Sequence, residues 1–133
     1  MSLSVERDGA RALVRLDGPL DYPATEELEA ELARLLDLGI RCVAVDLTAA
    51  TAVDDAAVGV LYDALRRARA VRGAITLALT DDRLAHVLQV MGLDRAFRLA
   101  RSGEEALRLL PESADGGEGS VSGSLVDWPA EGR

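Results

Sequence analysis

The chain contains no lysine; all 15 of its basic residues are arginines. It can therefore form no lysine Schiff base, and it cannot build the lysine-bearing phosphate loop of nucleotide-binding proteins. One cysteine and one histidine are present. A single cysteine excludes an internal disulfide framework, and the two residues together fall short of the roughly four ligands of an ordinary zinc site. Aromatic residues are limited to Tyr22, Tyr62, Phe97 and Trp128, so the core has to be aliphatic. No apolar run approaches the ~20 residues of a membrane span, and the opening MSLSVERDGA lacks the apolar stretch of a signal peptide. Positive charge is also short, with 23 acids giving a net charge of −8. Nucleic acids and anionic membranes both attract cationic proteins, so neither is an expected partner. The expectation is a soluble, cytoplasmic protein that binds no nucleic acid and inserts into no membrane.

With 133 residues, 49% of them hydrophobic, the chain has material for one domain and a proper core. Composition changes after Leu110. Residues 111–133 read PESADGGEGSVSGSLVDWPAEGR, where five acids against one arginine give −4. Glycine, serine and acid without a helical or strand period cannot bury enough apolar surface to offset ordering entropy. The division is a domain over 1–110 and an acidic, disordered tail over 111–133. Leu125, Val126 and Trp128 make a small apolar island within that tail, and a short docking motif is the alternative to an unstructured terminus.

Residues 1–110 alternate strand and helix signals. Leu3 and Val5, then Ala12, Val14 and Leu16, alternate with polar residues across Asp8-Gly9, which predicts a hairpin turning on that dipeptide. Gly18-Pro19 is expected to break the chain. The stripe Leu28, Leu32, Leu35 and Leu36 predicts a helix over 24–38, closed by Gly39. Residues 42–47 form an apolar run expected to be a buried central strand. A helix from 55 or 56 to 72 follows from Val58, Leu61, Leu65 and Ala68, with Gly73 ending it. A strand over 75–79, a short helix over 84–91 stopped by Gly92, a strand over 97–100, and a helix over 104–110 capped by Ser102 complete the domain. The fold class is α/β: an opening hairpin and then alternating helices and strands (β-β-α-β-α-β-α-β-α), with the helices packed on a mixed sheet whose later strands are parallel.

Residues that carry chemistry are few. His86 falls off the apolar stripe of its helix and reads as a surface residue. Cys42 sits in the buried strand, where a thiol is an inert filler. No serine occupies a strand–turn–helix elbow, and no carboxylates are spaced for a metal or a glycosidase site. No cofactor, metal or catalytic residue is expected. The segment TAATAVDDAAVGVL (48–61) stands apart. It reads as a loop following the central strand and entering a helix, the place where open α/β sheets meet ligands and partners. Asp54 and Asp55 lie at the positive end of that helix, and a helix cap explains one of them.

These segments resemble a family. GPLDYPATEELEAEL, VAVDLTAATAVDDAAVGVLYDALRRARAVRGAITLAL and LAHVLQVMGLDRAFRLARSGEEALRLL together look like the STAS domain of bacterial anti-sigma factor antagonists. The likeness spans residues 3–110 in the order of its elements. It rests on Gly18-x-Leu20-Asp21, Asp46-Leu47, Asp54-x-x-x-x-Gly59-x-Leu61, Gly73, Gly92-Leu93 and Glu105-Ala106-Leu107. In that family the loop after the central strand typically reads Asp-Ser-Ser-Gly-hydrophobic-Gly, and its first serine is phosphorylated by the partner kinase. Here it reads Asp54-Asp55-Ala56-Ala57-Val58-Gly59. Asp55 is the phospho-acceptor-equivalent position, and a carboxylate carries one charge where phosphoserine carries about −1.5 to −2. Asp55 is thus either an imperfect imitation of the modified state or only a cap.

The resemblance implies a non-enzymatic interaction module. Its partner would be an anti-sigma factor with a kinase-like fold, or another STAS-bearing regulator. Contact would run through Asp21, Tyr22, Thr48, Thr51, Asp54, Asp55, Ala56 and Val58. Two alternatives stay open: a cytoplasmic STAS subunit of a membrane lipid-transport ATPase, and a small-ligand-sensing module.

Overall fold

Strand alternation at the start of the chain produces the expected hairpin. In the computed structural model, which describes residues 2–111, β1 (Ser2–Asp8) runs antiparallel to β2 (Arg11–Leu20), with Val5 opposite Val14 and Asp8 opposite Arg11. The turn residues are therefore Gly9 and Ala10, not Asp8 and Gly9. Gly9 takes φ +64°, which a tight hairpin turn requires and which costs glycine nothing. Asp8 stays in the strand and receives Arg11 Nη2 at 2.7 Å. The acidic segment expected to be disordered lies, beyond Pro111, outside the described residues.

Gly18-Pro19 does not end β2. The strand passes through both residues, with register shifts between Arg15 and Asp17 and between Gly18 and Pro19. A bulge is where a sheet tolerates a residue without an N–H. The next helix, α1 (Tyr22–Asp37), starts two residues earlier than expected. Asp21 caps it by accepting Ala24 N–H at 3.2 Å, and Pro23 falls in the first turn, where its missing N–H is no loss. Leu28, Leu32 and Leu35 are buried along its inner face.

The central strand β3 (Cys42–Val53) is twice the expected length. Its first half pairs on both sides, with β2 and with β4 (Ala74–Ala78). Its second half, the alanine- and threonine-rich segment read as a loop, pairs with Asp17–Leu20 of β2. Small residues carry little strand signal, and the neighbouring backbone decides. The following helix, α2 (Asp55–Ala70), stops two residues short of Arg72. Arg72 itself takes the left-handed φ of 64°, and Gly73 serves close approach instead: a Cβ there would lie 2.0 Å from the Arg41 carbonyl oxygen.

The helix α3 (Asp82–Val90), the strand β5 (Arg98–Ala100) and the helix α4 (Gly103–Arg108) close the domain. The sheet order is β1-β2-β3-β4-β5, parallel from β2 to β5. Helices α1, α2 and α3 share one aliphatic core with the sheet, reaching from Leu16 and Val45 to Leu65, Leu88 and Phe97. On the other face α4 covers a smaller cluster of Leu13, Cys42, Ala44, Ala78, Ala100, Ala106 and Leu110.

One charged network fastens that second layer. Asp46 is buried, with Oδ2 2.9 Å from Arg15 Nη1. The same guanidinium reaches Glu6 at 3.3 Å and Glu104 at 2.9 Å, tying β1, β2, β3 and α4 together. Gly103 is required beside it, since a Cβ would stand 2.6 Å from Asp46 Oδ2. A buried carboxylate stripped of its cation is costly, whereas exposed pairs contribute little. Arg15→Ala should therefore lower stability by about 2 kcal/mol, and Glu104→Ala should change it little. Urea denaturation of both variants measures the contrast.

Candidate functional site

Two chain corners meet at the carboxyl ends of β2 and β3. Leu20 and Val53 are paired, and the Asp54 N–H donates to the Leu20 carbonyl at 3.3 Å. The residues after each strand, Asp21-Tyr22 and Asp54-Asp55-Ala56, are thereby neighbours although more than thirty positions separate them in sequence. All five are exposed, and Tyr22 is 66% exposed, a large aromatic surface in water. The Glu26 carboxylate accepts a hydrogen bond from the Tyr22 hydroxyl and holds its pKa above the usual phenol value. Tyr22 is therefore a neutral donor.

The remaining sequence candidates lie elsewhere. Thr48 is half-buried, and both its N–H and its hydroxyl donate to Asp46 Oδ1, at 2.9 and 2.7 Å. Six residues of extended strand put it about 20 Å from Asp54. Thr51 is exposed on β3 and flanks the rim. Val58 is 3% exposed and belongs to the core stripe of α2. Cys42 is buried, and burial pushes its thiol pKa up, which disfavours the reactive thiolate. His86 is exposed on α3.

The capping reading of the two aspartates needs correction. Asp54 occupies the N-cap position of α2 but its side chain makes no capping bond, and Asp55 is the first residue of the helix proper. Their carboxylates act through the helix dipole alone. One feature escaped the sequence reading. Asp81 caps α3 by accepting Arg83 N–H at 2.8 Å, with Asp82 beside it, so a third acidic helix start stands at the end of β4. The repeated Asp-Asp before a helix was the available signal. Gly59 lies inside α2, exposed, one turn after Asp55, with nothing within 4 Å of where a Cβ would be. Neither backbone angle nor packing demands glycine there, so it keeps the helix surface low beside the rim.

Among the described residues no three His, Cys, Asp or Glu side chains are grouped to hold a metal ion, and no helix is long and apolar enough to cross a membrane. What the rim offers is a carboxylate-edged surface with one aromatic anchor and a low helix face, suited to contact with another protein.

Comparison with known proteins places this geometry. Residues 2–106 match the family model of the STAS domain. The chain is 28% identical over 106 residues to BtrV of Bordetella bronchiseptica, assigned as an anti-sigma factor antagonist, covering 80% of this chain and 91% of that protein. The Bacillus cell fate determinant SpoIIAA in its phosphorylated form has a similar structure, with a TM-score of 0.68 at 24% identity over 80% of this chain and 97% of that one. TM1081 of Thermotoga maritima gives 0.73 at 16% identity over 80% and 92%. The two structural likenesses establish the fold.

The stability of the rim separates its residues. Asp21→Ala should lose about 1 kcal/mol with its capping bond, and Asp54→Ala should lose less. Gly59→Ala should gain about 0.5–1 kcal/mol, because alanine is the better helix former. Thermal unfolding followed by circular dichroism orders the three variants.

Proposed function

This chain belongs to the STAS domain family, and from that premise we propose that it is a non-enzymatic cytoplasmic regulator that binds an anti-sigma factor with a kinase-like fold. The observation that carries the reading is the meeting of Asp21-Tyr22 with Asp54-Asp55-Ala56 at one rim, continued by the low face at Gly59. The relationship to BtrV supports it. In this reading the partner rests on Tyr22 and on the first turn of α2, and the chain releases a sigma factor by occupying its inhibitor.

Binding is testable with the anti-sigma factor recovered alongside the chain from its native cells. Asp21→Asn keeps a capping side chain and Tyr22→Ala removes an exposed ring, so neither should unfold the domain. Each should weaken binding about tenfold in calorimetric titration. Gly59→Ala should weaken it too while making the protein more stable, an opposition that a purely structural role would not produce. Unchanged affinity in all three moves the interface elsewhere.

Asp55 replaces the switch. It stands at the position of the family's acceptor serine and supplies a fixed single negative charge where the helix dipole favours one. Thr48 is no substitute acceptor, since its hydroxyl is engaged with Asp46. Incubated with its kinase partner and ATP, the wild-type protein should gain no phosphate by intact-mass spectrometry, and Asp55→Ser should restore an acceptor. Asp55→Ala should bind a kinase-type partner more tightly, because a charge opposing docking is gone. Phosphate on Thr48 or Thr51 would defeat this account.

A further inference from the structure

Among the described residues the sheet has two edge strands, β1 and β5. The second is three residues long, too short to template another strand. The first is seven residues long and pairs with β2 in one unbroken register. It has neither proline nor bulge, two of the devices that blunt an exposed edge. Only Gly9 and Ala10 separate Asp8 from Arg11, so that closing pair exchanges its backbone bonds within the hairpin. Bonded and unbonded pairs then alternate along the strand. Ser2, Ser4, Glu6 and Asp8 turn their N–H and C=O groups inward to β2, and Leu3, Val5 and Arg7 turn theirs outward. Among the described residues no strand lies on that outer side.

The side chains of β1 are self-complementary. Leu3 and Val5 are half-buried and pack against the larger aliphatic core. Glu6 points to the opposite face, where it shares Arg15 with Glu104 of α4, and by alternation Ser2, Ser4 and Asp8 share that face. Charge divides along the strand as well. Ser2 to Val5 are uncharged, and Glu6, Arg7 and Asp8 are all charged. An antiparallel copy of the same strand sets each half against the other. Centring such a two-fold pair on Val5 matches every residue of the strand, from Ser2 against Asp8 to Val5 against Val5. Centring it on Glu6 or Arg7 opposes like charges, and centring it on Leu3 or Ser4 leaves Arg7 and Asp8 beyond the end of the second strand. In the Val5 register the outward groups of Leu3, Val5 and Arg7 face one another, and about six main-chain hydrogen bonds form. Ser4 lies opposite Glu6 and Ser2 opposite Asp8, in the pairs whose side chains approach most closely, hydroxyl donors against carboxylates.

We propose that β1 pairs antiparallel with β1 of a second copy, centred on Val5, and makes one continuous sheet across a homodimer. Val5 then meets its own copy, and the apolar stem of Arg7 covers Leu3 of the other chain. The contact uses no residue of the rim, so it stands or falls apart from the partner reading above. One strand edge buries less than a standard interface, so the dimer belongs to the weak class and forms between about 1 μM and 1 mM.

Analytical ultracentrifugation of the full-length protein across that range reads the contact. The average mass should rise from 14.1 kDa toward twice that value. Val5→Pro removes an N–H that faces away from β2, so the hairpin keeps its bonds. This variant should stay monomeric at every concentration while its far-ultraviolet circular dichroism stays native. Ser4→Glu is a gentler change at an exposed position. It places a carboxylate opposite Arg15 of its own chain, which favours the hairpin, and opposite Glu6 of the second copy, which opposes the dimer. Association should weaken about tenfold. Combining Ser4→Glu with Glu6→Ser exchanges the two partners and should restore association to the wild-type level. A wild-type mass that stays at 14.1 kDa throughout would overturn the proposal. So would a dimer that persists in natively folded Val5→Pro or is indifferent to Ser4→Glu, which would put the contact elsewhere. Failure of the exchanged pair to restore association would overturn the Val5 register.

Discussion

The pairing of β2 with β3 beyond the end of β4 is the constraint on which the rest of this structure depends. A parallel pair joined by a helix brings together the residues that follow each strand only if both strands reach the same height. Here they do: Leu20 meets Val53 and Asp54 bonds back to Leu20. Had β3 stopped where its strong hydrophobic signal stops, at Leu47, the start of α2 would be joined to the sheet by a seven-residue loop. Asp55 and Ala56 would then have no fixed relation to Asp21 and Tyr22. The register shifts in this pair serve the same end: β3 carries the extra residue at each, and Gly18 and Pro19 stay within β2 instead of breaking it.

The sheet also separates two chemistries along its axis. At the carboxyl ends of the strands each helix of the larger layer opens on aspartate: Asp21, Asp54-Asp55 and Asp81-Asp82. At the amino ends the same helices close on the exposed Leu38, Val71 and Met91, and Arg41 donates to the Val71 carbonyl. Dipole logic favours this arrangement of charge in each helix separately. Parallel strands turn it into a property of the whole domain, since every crossover helix points the same way. An acidic rim at one end and exposed apolar helix caps at the other follow from topology acting on ordinary helix ends.

The second layer is fixed differently. Six residues of α4 bury few apolar side chains, and the helix relies on specific bonds. Thr76 Oγ1 donates to the Ala106 carbonyl at 2.8 Å, Ser102 caps the helix by accepting Glu105 N–H at 3.1 Å, and Arg15 joins Glu104 to the buried Asp46. Acid weakens part of this. Arg15 holds the Glu104 carboxyl below its ordinary pKa, so the contribution is present above the unfolded carboxylate range and is lost as pH falls through the folded value.

Sequence by itself determined the order of elements, the aliphatic core and the family resemblance, because these rest on periodicities that side chains carry locally. The stripe of Leu28, Leu32 and Leu35 needs no partner to be legible, nor does the run from Cys42 to Leu47. It also placed Asp55 at a helix start and His86 on the surface. It misjudged the places where the deciding atoms belong to distant residues. Thr48–Val53 looked like a loop because alanine and threonine have weak preferences, and only β2 makes them strand. Val58 looked available for contact because its segment did, and the core claims it. Gly73 looked like a helix stop, yet the Arg41 carbonyl is what excludes a side chain there. That Asp54 takes the N-cap position of α2 without a capping bond was undecidable from spacing, since a cap is a hydrogen bond and depends on where the backbone turns. Local pattern fixes what the strongly patterned segments are, and only the tertiary structure decides the weakly patterned ones, which backbone lies beside each, and so which side chains are left for contact.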